Sequence, residues 1–332
     1  MDKRNYLTSI LSAIGFGILI LDGKTAVHGV QEGLALCLQT LIPALFPFLF
    51  LSAALTASLS GYQFPFLRPL GRLCRIPQSC ESILVIGWLG GYPVGARCAS
   101  ELCTSRTISV NDCTRLAIMC NLAGPAFIFG VIGSFFTDLT LTMMLWLTHI
   151  LSSLCAGSLI PEDQSSSNVA TSAAKLNFTT ILSNTVKSMA SVCGCVVLFR
   201  VMIEFLNRWF FWSLPQWLQI LLTGAMELSN GCLLLSNISQ EEIRFVLTSV
   251  LLSFGGLCVW MQTVSVFPNI NLKLYIKGKL LHTMLSLIIS VAMLGIMKKS
   301  PWMMICSILI LSAIIATPRI SKLEGRKKEV AF

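Results

Sequence analysis

The sequence predicts an all-α polytopic membrane protein: about eight transmembrane helices with two re-entrant or broken segments in an inverted repeat. Three observations carry that prediction. Hydrophobic residues make up 55% of the 332 positions and charged residues 12%, with a mean hydropathy of +0.77, far more apolar than a soluble globular chain. Apolar stretches long enough to cross ~30 Å of hydrocarbon alternate with short connections that hold most of the basic residues. Two further apolar stretches, ILVIGWLGGYPVGA (Ile83 to Ala96) and WLQILLTGAMELSNGCLLL (Trp217 to Leu235), are interrupted by Gly90-Gly91-Tyr92-Pro93 and by Glu227 with Ser229-Asn230-Gly231. Non-helical backbone at membrane depth survives only where protein or a water-filled cavity satisfies it. Paired broken segments in corresponding places of two halves therefore point to a solute site near the midplane.

The crossings follow in order: Tyr6 to Leu21, Leu34 to Leu59, Thr114 to Phe136, Leu139 to Ile160, Ile181 to Leu206, Ile243 to Val264, Leu280 to Met297 and Trp302 to Thr317. The first is read as a span and not a cleavable signal, because Asp22-Gly23-Lys24 at its exit lacks a small-residue cleavage pattern. Pro43 and Pro47 kink the second crossing and free carbonyls. Residues 1–33 form a first helix and an outer loop, and 34–160 a first repeat unit plus the following helix. The polar, Ser-rich 161–180 reads as a cytoplasmic linker. Residues 181–268 form a second, inverted unit, and 269–332 a two-helix hairpin with a basic tail.

Charge tests the arrangement. With a cytoplasmic N-terminus, sixteen of the 24 Lys and Arg fall in inside loops, Lys273, Lys277 and Lys279 among them. Four fall outside (Lys24, Arg208, Lys298, Lys299), and four lie within or at the ends of spans (Arg115, Lys187, Arg200, Arg244). This is the positive-inside pattern, and it makes both termini cytoplasmic. The two units then run in opposite directions through the bilayer. Ile83-Leu84-Val85-Ile86-Gly87 matches Ile220-Leu221-Leu222-Thr223-Gly224, and breaks at Gly124-Pro125 and Gly255-Gly256 follow in corresponding crossings.

The net charge of +9 is explained by orientation, so nucleic-acid binding is not expected. The thirteen cysteines lie mostly in apolar segments as small hydrophobes, and the three histidines (28, 149, 282) are scattered, so neither a disulfide framework nor a metal site is expected. No nucleophile–base constellation, phosphate loop or HExxH motif appears, which argues against an enzyme and against a cofactor.

The candidate binding residues come from the breaks. Gly91, Tyr92, Pro93 and Gly95 form a tight reversal with a polar tip and free backbone groups. Asn121 lies one turn before Gly124. Glu227 is a carboxylate inside an apolar segment, costly unless functional, and Ser229, Asn230 and Gly231 follow it. Gly256 and Gln262 supply the equivalent break in the sixth crossing. Arg200 and Glu204, spaced i, i+4, read as a structural pair.

At GYPVGAR (Gly91 to Arg97), NLAGPAFIFG (Asn121 to Gly130), MELSNG (Met226 to Gly231) and SFGGLCVWMQ (Ser253 to Gln262) the sequence resembles the sporulation integral membrane protein YlbJ family, within the broader nucleoside-recognition "Gate" group. Trp260 stands where relatives tend to carry His, so a proton-relay role is not carried over to that position. The resemblance implies a multi-pass membrane protein of spore-forming Firmicutes associated with spore formation. It also agrees with the inverted repeats and re-entrant hairpins of concentrative nucleoside transporters. The expected function is a secondary transporter or permease of a small polar, nucleoside-like solute, with H+ or Na+ as coupling ion, in the lipid bilayer, as a monomer or homo-oligomer. The alternative is a non-transporting scaffold for spore formation, which predicts no central cavity.

Overall fold

The computed structural model describes residues 3–59, 65–76, 80–104, 108–163 and 177–300, and among these the chain is helical with no strand. Helices α1 (Lys3–Leu21) and α2 (Gly23–Leu36) meet at Asp22, whose carboxylate caps α2 by accepting from the Thr25 N–H and hydroxyl. A π-helical turn at Cys37–Leu41 leads into α3 (Ile42–Leu59). Pro43 has no N–H for the carbonyl of Gln39 and Pro47 none for that of residue 43, so the regular ladder is relaxed here. A short α4 (Arg68–Leu73) precedes α5 (Glu81–Gly90) and α6 (Val94–Thr104), and then α7 (Val110–Cys120), α8 (Pro125–Gly130) and α9 (Leu139–Leu159) follow. The second half holds α10 (Phe178–Trp209), α11 (Gln216–Met226), α12 (Leu228–Leu235), α13 (Glu241–Phe254), α14 (Gly256–Val266) and α15 (Leu272–Met297). Side chains set several starts: Ser109 caps α7, Asp138 caps α9, Asn177 caps α10 and Asn271 caps α15.

Six described stretches are long and apolar enough to cross a membrane, 23–55, 110–130, 139–159, 178–209, 241–266 and 272–297, with shorter apolar helices at 12–21 and 81–90. The chain is a multi-pass α-helical membrane protein. Their outward faces carry large exposed apolar side chains, Leu38, Leu51, Leu147, Leu198 and Met284 among them, which a bilayer accommodates. The expected crossing at Trp302 to Thr317 lies outside the described residues.

Three boundaries differ from the sequence expectation. The outer loop expected before residue 34 is helical: Gly29 and Gly33, four apart, lie on Val201 and Val197 of α10, where an added Cβ would come within 2.8 and 2.9 Å of backbone Cα atoms. That is the small-xxx-small packing of membrane helices. Helix α10 begins at Phe178, inside the expected linker. Helix α15 begins at Leu272, so Lys273, Lys277 and Lys279 are helical, and Lys279 is fully buried.

Both broken segments are helical hairpins. Gly87 and Gly95, eight residues apart, both abut the Cys120 carbonyl, with an added Cβ 2.3 Å from its oxygen in each case. Gly224 and Gly231 touch each other across the second break, where a Cβ on Gly231 would lie 2.2 Å from the Gly224 Cα. Seven residues of continuous helix span ~10 Å, so this contact requires the chain to reverse. Each hairpin is followed by a broken helix: α7 stops before 121–124 and resumes as α8, and α13 gives way to α14 at Gly255 and Gly256, with φ of +82° and +77°. The sequence order hairpin, then broken helix, thus occurs twice.

Candidate functional site

The breaks leave backbone groups that water cannot reach, and the protein satisfies them with side chains. The Met119 carbonyl at the end of α7 accepts from Trp88 Nε1 (3.0 Å) and Ser153 Oγ (3.2 Å). The Ala123 N–H donates to His149 Nε2 (3.1 Å). In the second unit the Phe254 carbonyl accepts from Trp260 Nε1 (2.8 Å) and the Leu252 carbonyl from Tyr92 Oη (3.0 Å). That last bond joins the tip of the first hairpin to the broken helix of the second unit. Trp260 thus caps a broken helix.

Asn121 is the hub of the first break. It is fully buried, its Oδ1 accepts the Ala96 N–H (3.3 Å), and its Nδ2 donates to Thr263 Oγ1 (2.9 Å) and Tyr275 Oη (3.3 Å). One amide therefore ties the start of α6 to α14 and α15. Gly91, at φ +71°, sits against Gly124, and an added Cβ would lie 2.8 Å from the Gly124 amide nitrogen. Only glycine allows that backbone conformation and that approach at once.

Glu227 is 2% exposed, so it is no interfacial side chain. It occupies the N-cap of α12: its carboxylate accepts from the Ser229 N–H (3.1 Å), the Asn230 N–H (2.8 Å) and Asn230 Nδ2 (2.7 Å). These donors and the positive end of α12 compensate the buried carboxylate. Asn230 Oδ1 in turn accepts from Arg200 Nη1 (3.1 Å), while Arg200 Nη2 meets Glu204 (2.7 Å) and Glu32 (3.7 Å). Arg200 and Glu204 do pair as their spacing suggests, but the pair also extends to Glu227 through Asn230. Sequence reading missed that link because α2 and α12 come from distant parts of the chain.

The two hairpin tips share one narrow cleft with a cavity of about 70 Å³. Gly91, Tyr92 and Gly124 line it from the first unit and Glu227, Ser229 and Gln262 from the second, while Leu41, Leu45, Phe127, Val192 and Val196 make the walls mainly apolar. Of the other candidate residues, Pro93, Gly95, Asn121, Gly231 and Gly256 stand behind this surface as its frame. Asn230 faces a second, more open pocket of about 820 Å³ with its open mouth included, lined also by Glu32, Gln39, Thr40, Arg200 and Asn237. Arg97 of GYPVGAR faces neither. It lies beside Ser100 and Glu101 on a separate pocket.

A polar cluster that sequence reading did not assemble lies behind Tyr92. Lys279 Nζ is 3.5 Å from Tyr92 Oη and 3.5 Å from His282 Nδ1, and His149 and His282 are stacked at 5.0 Å. All three basic residues are fully buried. The signal available was the i, i+3 spacing of Lys279 and His282 on an otherwise apolar helical stretch.

These elements define a polytopic helical membrane protein whose two interrupted hairpins close on a common, mostly apolar cleft with a few fixed polar groups. The chain is similar to the sporulation integral membrane protein YlbJ of Bacillus subtilis (strain 168), with 25% identity over 303 residues, covering 77% of this chain and 74% of that protein. This bears out the YlbJ-family resemblance seen in the four motifs. No family model matches the chain, and no solved structure matches it.

Proposed function

We propose that the protein is a sporulation-associated secondary transporter or permease of a small polar solute, held between the two broken hairpins. The cleft carries this reading: Gly91, Tyr92 and Gly124 of the first unit oppose Glu227, Ser229 and Gln262 of the second across one space. A mostly apolar lining with a few polar groups is how small-molecule sites are commonly built. It suits a solute with a flat apolar face and a few hydrogen-bonding groups, such as a nucleoside-like compound. The similarity to YlbJ supports the link to sporulation, and the cleft favours transport over a scaffold, which has no need of one. Both termini and the 161–180 linker are cytoplasmic in this proposal, as the distribution of basic residues requires.

The test compares small-metabolite contents of spores from wild-type, deletion and complemented strains, the last carrying wild-type protein or Gln262→Leu. Transport predicts one solute class that changes on deletion and is restored by the wild-type protein only. Unchanged metabolites together with a sporulation defect would favour the scaffold.

A further inference from the structure

Lys279 lies on α15 within the membrane-embedded bundle, is fully buried, and makes no ion pair among the described residues. A buried basic side chain without a counter-charge in a membrane helix is expensive and marks function by default. The groups around it are few. The hairpin turn presents Tyr92, whose ring centroid is 5.5 Å from Nζ, α9 presents His149, and α15 itself presents His282 and, one turn back, Tyr275. Helix α13 supplies the Leu252 carbonyl through Tyr92, and Ser253 through His149. Helix α7 packs Ile118 on Gly278 and places Cys120 near Tyr275.

Donor and acceptor logic fixes the protons. His149 Nε2 accepts the Ala123 N–H, so its proton is on Nδ1, toward Ser253 Oγ at 3.4 Å. His282 Nε2 faces the His149 carbonyl at 3.2 Å, which only accepts, so Nε2 carries the proton and Nδ1 is free to accept from Lys279. Tyr92 gives its own proton to the Leu252 carbonyl and offers Lys279 only a lone pair. Lys279 therefore has two acceptors, Tyr92 Oη and His282 Nδ1. A neutral amine has two N–H bonds and is satisfied. An ammonium has three and lacks a partner for one.

We propose that Lys279 is a proton-binding site coupled to the cleft, its protonation displacing Tyr92. The amine lone pair takes one proton from solvent and forms a third N–H bond, with only hydrogen bonds rearranged. In this step the third N–H bond takes the Leu252 carbonyl, to which Tyr92 now donates, and the Tyr92 hydroxyl is released toward the cleft. The proposal rests on the transport reading for its purpose, as the proton step of a coupled cycle, but its physical content can be tested without any solute.

The full-length protein in lipid nanodiscs is followed by hydrogen–deuterium exchange of the peptide spanning residues 88–96 from about pH 5 to about pH 9, corrected for intrinsic exchange. The wild type is expected to show two protection plateaus that differ by about fivefold or more, lower at acid pH. Lys279→Gln keeps two N–H donors and should hold the alkaline plateau throughout. Tyr92→Phe, which retains the ring, should abolish the response even where Lys279→Gln fails to fold. A flat wild-type profile, or a wild-type response in folded Lys279→Gln or in Tyr92→Phe, overturns the proposal. Failure of the metabolite test leaves this result standing, so the two readings fail separately.

Discussion

Replacing Glu227 by Asp separates a helix cap from a binding group. Asp is among the preferred N-cap residues, and Glu is not, so capping alone gives no reason for Glu at this position. An aspartate here can accept the Ser229 and Asn230 N–H bonds with a shorter side chain, and stability should stay within about 1 kcal/mol of wild type. The carboxylate would, however, be withdrawn by one methylene from the cleft that Glu227 lines. Gln keeps one oxygen acceptor and turns the other into a donor. If its oxygen faces Asn230, it keeps those two bonds and leaves the Ser229 N–H opposite an NH2 group, a loss of about 1 kcal/mol. Ala removes all three bonds, and the orphaned donors cost about 1–3 kcal/mol, enough to shift Tm by several degrees. The assays are thermal unfolding in detergent, membrane abundance by immunoblot, and the yield of heat-resistant spores in a complemented deletion strain. Asp is expected to be stable but impaired, Gln slightly destabilised and impaired, and Ala both unstable and inactive. Full spore yield from both Asp and Gln at wild-type abundance would show that Glu227 only caps α12, and the site would lose its acidic member.

Gly95→Ala puts a methyl 2.3 Å from the Cys120 carbonyl oxygen and should destabilise by about 1–3 kcal/mol. Gly15→Ala, with nothing within 4 Å, serves as the control and should leave the melting temperature near wild type. Asn121→Leu leaves the Ala96 N–H unpaired in the interior and should cost about 1–3 kcal/mol, read as a lower melting temperature, whereas an unchanged value would remove Asn121 as the hub. Burial and the neighbouring Glu81 push the Cys80 thiol up to about 12, so at pH 8 only about one in ten thousand is thiolate. Maleimide should therefore label Cys80 in denatured protein and scarcely at all in folded protein. Single-cysteine labelling should find positions 166 and 329, both outside the described residues, accessible from the cytoplasm and 299 from outside, and external labelling at 166 would overturn the topology.

The breaks were legible because their signals are local. Gly-Gly-Tyr-Pro cannot continue a helix, Gly255-Gly256 takes positive φ, and Glu-x-Ser-Asn-Gly interrupts an apolar run whatever surrounds it. Helix α2 was misread as loop because Lys24, His28 and Glu32 look like solvent residues, although Gly29 and Gly33 already carried a helix-packing motif. Lys279 was misread for the same reason. Hydropathy counts a lysine as a boundary and cannot tell whether the helix continues past it, and only the packing of α15 against α7, α9 and the hairpin turn shows that it does. The Arg200–Asn230–Glu227 chain was invisible because it joins α10 to the start of α12, whose proximity no local pattern encodes.

The exposed aromatic side chains Trp209, Phe210, Trp212 and Trp217 cluster around the end of α10 and the start of α11, where a belt at headgroup level is expected. Taken as a depth gauge, they fix a scale along α10. Arg200 lies nine residues inward, ~14 Å at 1.5 Å per residue, close to half of a ~30 Å hydrocarbon layer. Charges at that depth need water, and the 820 Å³ pocket beside Glu32 and Arg200 is where it would stand. Asn230, which lines this pocket, hydrogen-bonds Glu227, which lines the cleft, so one buried pair links polar space near the middle of α10 to the candidate site.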